Sequence, residues 1–298
     1  MNQKFQGLWP ALLTPMTADG KPNFAVLERM VELYVKQGLD GIYTTGSTGQ
    51  WPLLSFEERA SIVDCVVKTA AGRIPIMAHI GGVSTEEAIQ LAKRAAASGA
   101  DAVSSVAPIY YAHSEPVIFE HYRRIGAATN LPFFAYHLYV TSSAPITPQR
   151  YATQLKTVPN LVGMKVTDLN VYTFGLIQSL TEGKLLLFSG ADEVLCHAVI
   201  SGSVGAIGTF YNLWGPVCQK ARQAMVDGKV DVASKFMLRF QLAIARVLES
   251  GSIWSFLRAA MQRKYDLDIG APRAPLGMAD QPWEDAKVRE ILDLVEPS

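Results

Sequence analysis

Eight short apolar segments rich in β-forming residues alternate with segments of helical period along the chain. In the first helical segment, Val26, Leu27, Met30, Val31 and Tyr34 fall on one face. Eight strands alternating with helices predict a (β/α)₈ TIM barrel in the α/β class. A doubly wound sheet usually has fewer strands and a glycine-rich phosphate loop after the first, which "ALLTPMTADG" does not resemble. The eight segments are "GLWPALL", "DGIYTTG", "IPIMAHI", "DAVSSVAP", "LPFFAYH", "LVGMKVT", "LLLFSG" and "GAIGTF".

Residues typical of helix ends support these boundaries. Ser55 with Glu58, and Ser84 with Glu87, are spaced as capping boxes, and Thr147 precedes a proline. Further helical segments follow the eighth strand. We therefore predict a barrel domain over residues 1–225 and a C-terminal helical bundle, packed on the barrel, over residues 226–298.

Composition limits the classes of partner. The chain has 27 basic and 27 acidic residues among 298, with a pI near 7.0, so it lacks the basic surface of a nucleic-acid-binding protein. It has no signal-peptide pattern and no apolar run approaching the roughly 18 residues of a membrane span. Three widely spaced cysteines argue against a disulfide framework. We expect a cytoplasmic protein whose partners are small molecules or its own copies, with no nucleic acid and no membrane.

A lysine interrupts the sixth apolar segment, "LVGMKVTDLN". Lys165 lies among strand residues whose neighbours predict burial, and burial disfavours the charged form of an amine. A neutral amine can attack a ketone to form a Schiff base, which then acts as an electron sink. The alternative is a lysine that extends to the strand end or pairs with Asp168, and the strand alone does not decide between them.

Candidate polar groups follow other strands at the same end of the barrel, where active sites of this fold lie. Tyr136 closes the fifth segment and could shuttle protons beside Lys165, or be a core aromatic. In "TTGSTGQ", Ser47 and Thr48 stand between glycines in a turn that could bind a carboxylate, or be an ordinary tight turn.

Three further segments reach this end. Tyr110 and Tyr111 follow the fourth strand, where packing or an interface is the usual role of paired tyrosines. Asp192 and Glu193 open a helix, where they either complement the helix dipole or accept hydrogen bonds from substrate hydroxyls. The eighth strand ends with further possible hydroxyl contacts, Gly208 and Thr209.

A catalytic metal has little support. The five histidines form no HxH or HExxH pattern, although His79 and His137 lie on separate predicted strands and could converge with an acid. We predict no metal.

The ordered set of a GSTG turn, a YY pair, a strand-five tyrosine and a strand-six lysine resembles the pyruvate-dependent class I aldolases, the family of N-acetylneuraminate lyase and dihydrodipicolinate synthase. The resemblance covers nearly the whole chain. It implies that Lys165 forms a Schiff base with pyruvate and that Tyr136 shuttles the proton. It also implies that Ser47 and Thr48 hold the pyruvate carboxylate, and that Tyr110 completes a proton relay, often across a subunit interface. Members are commonly homotetramers.

The lyase branch matches better than the synthase. Synthases usually place an arginine shortly after the tyrosine, and "YHLYVTSSAP" has none. The lyases carry a G-x-D-E element, which "GADE" matches through Gly190, Asp192 and Glu193, where a polyhydroxyl tail would bind. Thr209 corresponds to a further hydroxyl contact, and Thr167 would face the substrate.

Three residues depart from the lyase pattern. Tyr139 stands where the lyases have proline, Gln50 replaces a glutamate, and Trp51 follows it. Tyr139 and Trp51 could narrow the mouth of the site and change which aldehyde fits.

The resemblance implies a carbon–carbon lyase that cleaves a 2-oxo acid such as N-acetylneuraminate to pyruvate and N-acetylmannosamine. No cofactor is expected, since pyruvate is bound covalently through Lys165. Alternatives are a 2-keto-3-deoxy sugar-acid aldolase or dehydratase, a dihydrodipicolinate synthase, and a non-catalytic barrel kept for binding.

Overall fold

Eight parallel strands form the centre of the structure. The computed structural model describes residues 4–111, 113–138 and 147–296. The strands are β1 (Gly7–Pro10), β2 (Ile42–Thr44), β3 (Ile76–His79), β4 (Ala102–Val106), β5 (Phe133–Leu138), β6 (Leu161–Thr167), β7 (Leu186–Ser189) and β8 (Gly205–Gly208).

The sheet closes on itself. Each strand from β2 to β7 pairs in parallel with the next along the chain, and β8 pairs with β1. A parallel bridge between Ala11 and Tyr43, with Leu12 N–H donating to Tyr43 O at 2.8 Å, joins the ends of β1 and β2. The predicted TIM barrel is confirmed.

Helices separate the strands and cover the barrel. The capping box of Ser55 and Glu58 is present, Ser84 accepts from Glu87 N–H, and Thr147 accepts from Arg150 N–H. The helices are α1 (Phe24–Lys36), α2 (Phe56–Ala70), α3 (Thr85–Ser98), α4 (Glu115–Gly126), α5 (Pro148–Gln154), α6 (Val171–Leu180), α7 (His197–Ile200), α8 (Tyr211–Val226), α9 (Val230–Glu249), α10 (Ile253–Tyr265) and α11 (Asp285–Val295).

The C-terminal helices extend one side of the core. Residues of α9, α10 and α11 share a buried apolar cluster with α1 and α8, so this extension packs directly on the barrel. The boundary between residues 225 and 226 stays a prediction, although it falls within one residue of the end of α8. None of the described helices has the length and apolar character to cross a membrane.

Aromatic side chains fill the lower barrel. Phe5 packs edge-on against Phe134 with ring centroids 5.4 Å apart, and Trp9 packs likewise against Phe188 at 5.5 Å. Because side chains alternate along a strand, Met164 and Val166 of β6 face the outer helices whereas Lys165 faces the interior. Lys165 pairs in register with Phe188, so its Cα lies level with one member of this aromatic layer.

Candidate active site

Lys165 is buried inside the barrel, with 4% of its surface exposed. Its Nζ lies 4.4 Å from the ring centroid of Tyr136 and 4.4 Å from that of Tyr43. Among the described residues, Lys165 forms no salt bridge, so the alternative pairing with Asp168 does not occur. Asp168 Oδ1 instead accepts a hydrogen bond from Asn170 N–H at 2.9 Å. The amine therefore contacts aromatic faces.

Tyr136 lies directly opposite Lys165 in the register of β5 and β6. Its ring is buried, and its hydroxyl accepts a long hydrogen bond, 3.4 Å, from Thr167 Oγ1. Thr167 is the next inward-facing residue of β6 after Lys165. The parity of two strands thus brings together an amine, a phenol and an alcohol.

The GSTG turn reaches across the barrel mouth. Thr48 Oγ1 and Thr209 Oγ1 form a hydrogen bond of 2.6 Å, which connects the turn after β2 to the end of β8. Ser47 is exposed on the same turn.

Gln50 fixes the far side of this turn and is buried. Its Nε2 donates to Thr14 O at 3.2 Å, and its Oε1 accepts from Arg273 N–H at 2.7 Å. A neutral amide supplies both a donor and an acceptor here, which an ionised glutamate would not.

A cavity of about 460 Å³ opens beside these residues. We call it the outer pocket. Glycine is required at its inner wall, because a Cβ on Gly190 would lie 1.9 Å from Thr167 Oγ1 and 3.0 Å from Lys165 Cε. The outer pocket is lined by Thr167, Asp168, Leu169, Gly190, Ala191, Asp192, Glu193, Thr209, Phe210, Leu248 and Ile253.

Asp192 is the buried acid of the outer pocket. Its Oδ2 accepts from Phe210 N–H at 2.9 Å, whereas Oδ1, which lies over Gly208, has no hydrogen-bond partner among the described residues. Burial raises the pKa of Asp192 to about 7, although the Phe210 hydrogen bond favours the ionised form. Oδ1 is itself fully buried, and the neighbouring Tyr211 side chain also favours the ionised form, which keeps the pKa of Asp192 from rising further. Asp192 and Glu193 lie in a short 3₁₀ turn, Asp192–Val194.

The two strand histidines do not converge. His79 Nδ1 contacts Thr45 O at 3.0 Å and its Nε2 accepts from Val106 N–H at 3.3 Å. His137 faces outward and bonds Tyr151 through Nδ1 at 2.8 Å. Within the described ranges, no group of three or more histidine, cysteine, aspartate or glutamate residues could hold a metal ion.

Tyr110 lies outside the cluster around Lys165. Its side chain is 88% exposed, it stacks edge-on with Tyr111 at 5.1 Å, and its backbone adopts φ 82°. Positive φ in a bulky residue is uncommon and strained. The chain does not bring this phenol to its own amine.

Tyr139 and Trp51 were the two residues expected to narrow the mouth of the site. Tyr139 lies outside the described residues. Trp51 is buried against Tyr136 and Val106, and the Arg59 guanidinium lies 5.1 Å from its ring centroid. Trp51 therefore supports the back of Tyr136 and does not line the outer pocket.

Sequence reasoning missed Tyr43 and the contribution of the C-terminal helices. Tyr43 lies in the second apolar segment, and its inward parity on β2 is the one signal that could have found it. Leu248 and Ile253, from the end of α9 and the start of α10, line the outer pocket through contacts distant in sequence.

A buried amine on β6, a phenol on β5 and a hydroxyl-rich turn after β2 define, in this barrel, an aldolase of the Schiff-base type. The model of the dihydrodipicolinate synthetase family matches residues 4–293. The chain belongs to this family.

Known relatives narrow the comparison. The chain is 32% identical, over 284 residues and 95% of each chain, to an N-acetylneuraminate lyase of Escherichia fergusonii. The crystal structure of N-acetylneuraminate lyase from Mycoplasma synoviae matches with a TM-score of 0.87 and 29% identity, covering 99% of this chain and 98% of that one. A Ruminococcus gnavus sialic acid aldolase matches with a TM-score of 0.92 and 25% identity, covering 98% and 97%.

Proposed function

We propose that the protein cleaves N-acetylneuraminate, or a closely similar 2-oxo sugar acid, to pyruvate and N-acetylmannosamine. The observation that carries this proposal is the buried Lys165 amine, 4.4 Å from the ring of Tyr136, beside an outer pocket whose polar lining includes Thr167 and Thr209. The names of the relatives support the choice of substrate.

The reaction begins at Lys165. Its neutral amine attacks the 2-oxo carbon, one proton is taken up, and water leaves to give a positively charged imine. Tyr136 takes the proton from the hydroxyl group at the scissile carbon–carbon bond. The bond breaks toward the imine, which yields an enamine of pyruvate and a free aldehyde. Protonation and hydrolysis then release pyruvate and regenerate the amine.

Two groups of residues hold the substrate in this proposal. Ser47 and Thr48 bind the pyruvate carboxylate, and the hydrogen bond between Thr48 and Thr209 holds the turn against the end of β8. Gly190, Asp192 and Glu193, with Thr167 and the Gly208–Thr209 segment, hold the polyhydroxyl chain. The 460 Å³ volume of the outer pocket lies within the range of small-molecule sites.

The exposed Tyr110 supports a homotetramer. Its strained, 88% exposed side chain would be covered by a second copy, and the phenol would complete a proton relay with Ser47 of the neighbouring site. We also propose a cytoplasmic location, which the three free cysteines support. No metal or organic cofactor enters the proposed reaction.

Borohydride trapping tests the chemistry. Incubation with pyruvate and borohydride should add one reduced pyruvyl group, measured by intact mass and mapped to Lys165. The Lys165→Ala variant should gain no mass, whereas Lys184→Ala, which removes an exposed lysine before β7, should be labelled normally. An adduct that persists in Lys165→Ala would remove the mechanism.

A substrate panel tests the specificity. Pyruvate release is measured from N-acetylneuraminate and from 2-keto-3-deoxy sugar acids of shorter chain. If pyruvate is released only from the shorter acids, the protein is a sugar-acid aldolase and does not cleave N-acetylneuraminate.

A further inference from the structure

The nitrogen of Lys165 lies between two aromatic faces. Tyr136 and Tyr43 approach Nζ from different strands, each ring centroid 4.4 Å away, and their rings meet edge-on at 6.4 Å. A cation within about 6 Å of an aromatic face is attracted by the electron density of the ring. The two rings therefore favour positive charge at this nitrogen.

The ring of Tyr43 is held rigidly. It is fully buried, its hydroxyl donates to Ser104 Oγ at 3.3 Å, and a Cβ on Gly46 would lie 2.5 Å from its Cε1. The first residue of the GSTG turn thus lies against the ring, and only glycine permits this contact. The hydroxyl is engaged with Ser104, so the ring face is the part of Tyr43 presented to Lys165.

Two titratable neighbours, His79 and Asp192, interact electrostatically with Lys165. His79 packs beside both tyrosines and is neutral, because its Nε2 accepts a hydrogen bond from Val106 N–H. The carboxyl group of Asp192 is close enough for the charge of Lys165 to favour its ionised form, but its Oδ2 accepts from Phe210 N–H, and it forms no salt bridge with Lys165 among the described residues. The amine must be neutral when it attacks, whereas the imine that follows is cationic. An attraction to aromatic faces stabilises the cation without engaging the lone pair of the amine in a hydrogen bond or an ion pair.

We propose that Tyr43 is a residue of the reaction site whose ring face, together with that of Tyr136, stabilises the positively charged imine on Lys165; this rests on the proposed Schiff-base function. Tyr136 combines two roles, a ring face for the cation and a hydroxyl for proton transfer. Tyr43 has the first role only.

Fluorinated phenylalanines test the proposal, since successive fluorine atoms weaken the electron density of the ring face with little change in its shape. Position 43 is replaced with phenylalanine and with its 4-fluoro, 3,5-difluoro and 3,4,5-trifluoro derivatives. The pyruvate concentration that gives half-maximal borohydride-trapped adduct is measured by intact mass. We expect it to rise stepwise with fluorination, by about 10-fold across the series, within the range of a desolvated cation–π contact.

The same series at Tyr34 is the matched control, because this tyrosine is equally buried but lies on α1 and bonds Asn212. It should leave adduct formation unchanged. A flat series at position 43, or an equal rise at both positions, would overturn the role of Tyr43 while leaving the Schiff base intact. An unmodified protein that forms no adduct would instead overturn the proposed function.

Discussion

Replacement of Asp192 by asparagine should change stability in a pH-dependent way. The pKa of this buried carboxyl rises from its ordinary 3.8 to about 7 on folding. Its ionised form is therefore less favourable in the folded protein than in the unfolded chain, by about 4 kcal/mol at a pH well above 7. Because the folded-state pKa of Asp192 is raised, the contribution of this residue to stability is most favourable below pH 3.8 and is lost as the pH rises from there through 7.

The side chain introduced by Asp192→Asn would carry no charge at any pH. Its oxygen can keep the hydrogen bond from Phe210 N–H, but its amide group would occupy the unpartnered Oδ1 position, at a cost of about 1–3 kcal/mol. The cost of the unpaired amide is the same at every pH. The gain from removing a buried carboxylate grows as the pH rises, because more of the wild-type Asp192 is then ionised. The free energy of unfolding of Asp192→Asn, relative to the wild type, should thus rise by about 2–3 kcal/mol between pH 5 and pH 8.

Urea unfolding of both proteins at pH 5, 6, 7 and 8 measures this difference, at one fixed protein concentration, so that any self-association would affect both alike. Asp231→Asn removes one exposed carboxylate from α9 and controls for net charge. If the difference in the free energy of unfolding between Asp192→Asn and wild type stays constant across this pH range, burial does not raise the pKa of this carboxyl to about 7.

Substitutions at three other residues test the site and the contacts that hold its loops. Tyr136→Phe keeps the ring face, so it should form the pyruvate adduct but lose about 10²–10⁴-fold in kcat for cleavage, measured by pyruvate release; near-normal turnover would contradict the proton shuttle. Thr209→Val breaks the 2.6 Å bond to Thr48 and should raise KM several-fold, whereas Thr209→Ser should restore it; equal KM values in both would show that the bond is irrelevant. Arg273→Ala removes charged hydrogen bonds to Glu58 and to the Gly20 and Leu53 carbonyls, so the free energy of unfolding should fall by about 2 kcal/mol; an unchanged urea midpoint would argue against it.

The barrel was predictable because its signals are local. Each strand is a short apolar run, and each helix carries its face and its cap within a few residues, as in α2 with Ser55 and Glu58. Strand parity also made the inward direction of Lys165 and its proximity to Tyr136 predictable, since adjacent parallel strands carry their side chains in register.

The contacts that refine the site were not predictable, because they join distant segments. The Gln50 amide bonds Arg273 N–H across 223 residues, and Leu248 and Ile253 enter the outer pocket from the C-terminal helices. Nothing local to Trp51 indicates that it would be buried behind Tyr136. His79 and His137 do not converge on a metal site. The alternation of side chains along β5 directs His137 away from the barrel interior, toward Tyr151.

His79 is a titratable group that packs against both Tyr43 and Tyr136. Burial, together with the charges of Arg59 and Lys165, lowers the pKa of His79 well below its usual range. The Arg59 guanidinium, itself 1% exposed, donates to His79 O at 3.0 Å and faces the Trp51 ring. Tyr43 and His79 thus place uncharged rings against Tyr136, which in the proposed reaction would favour a transient cation on Lys165 over a permanent ion pair.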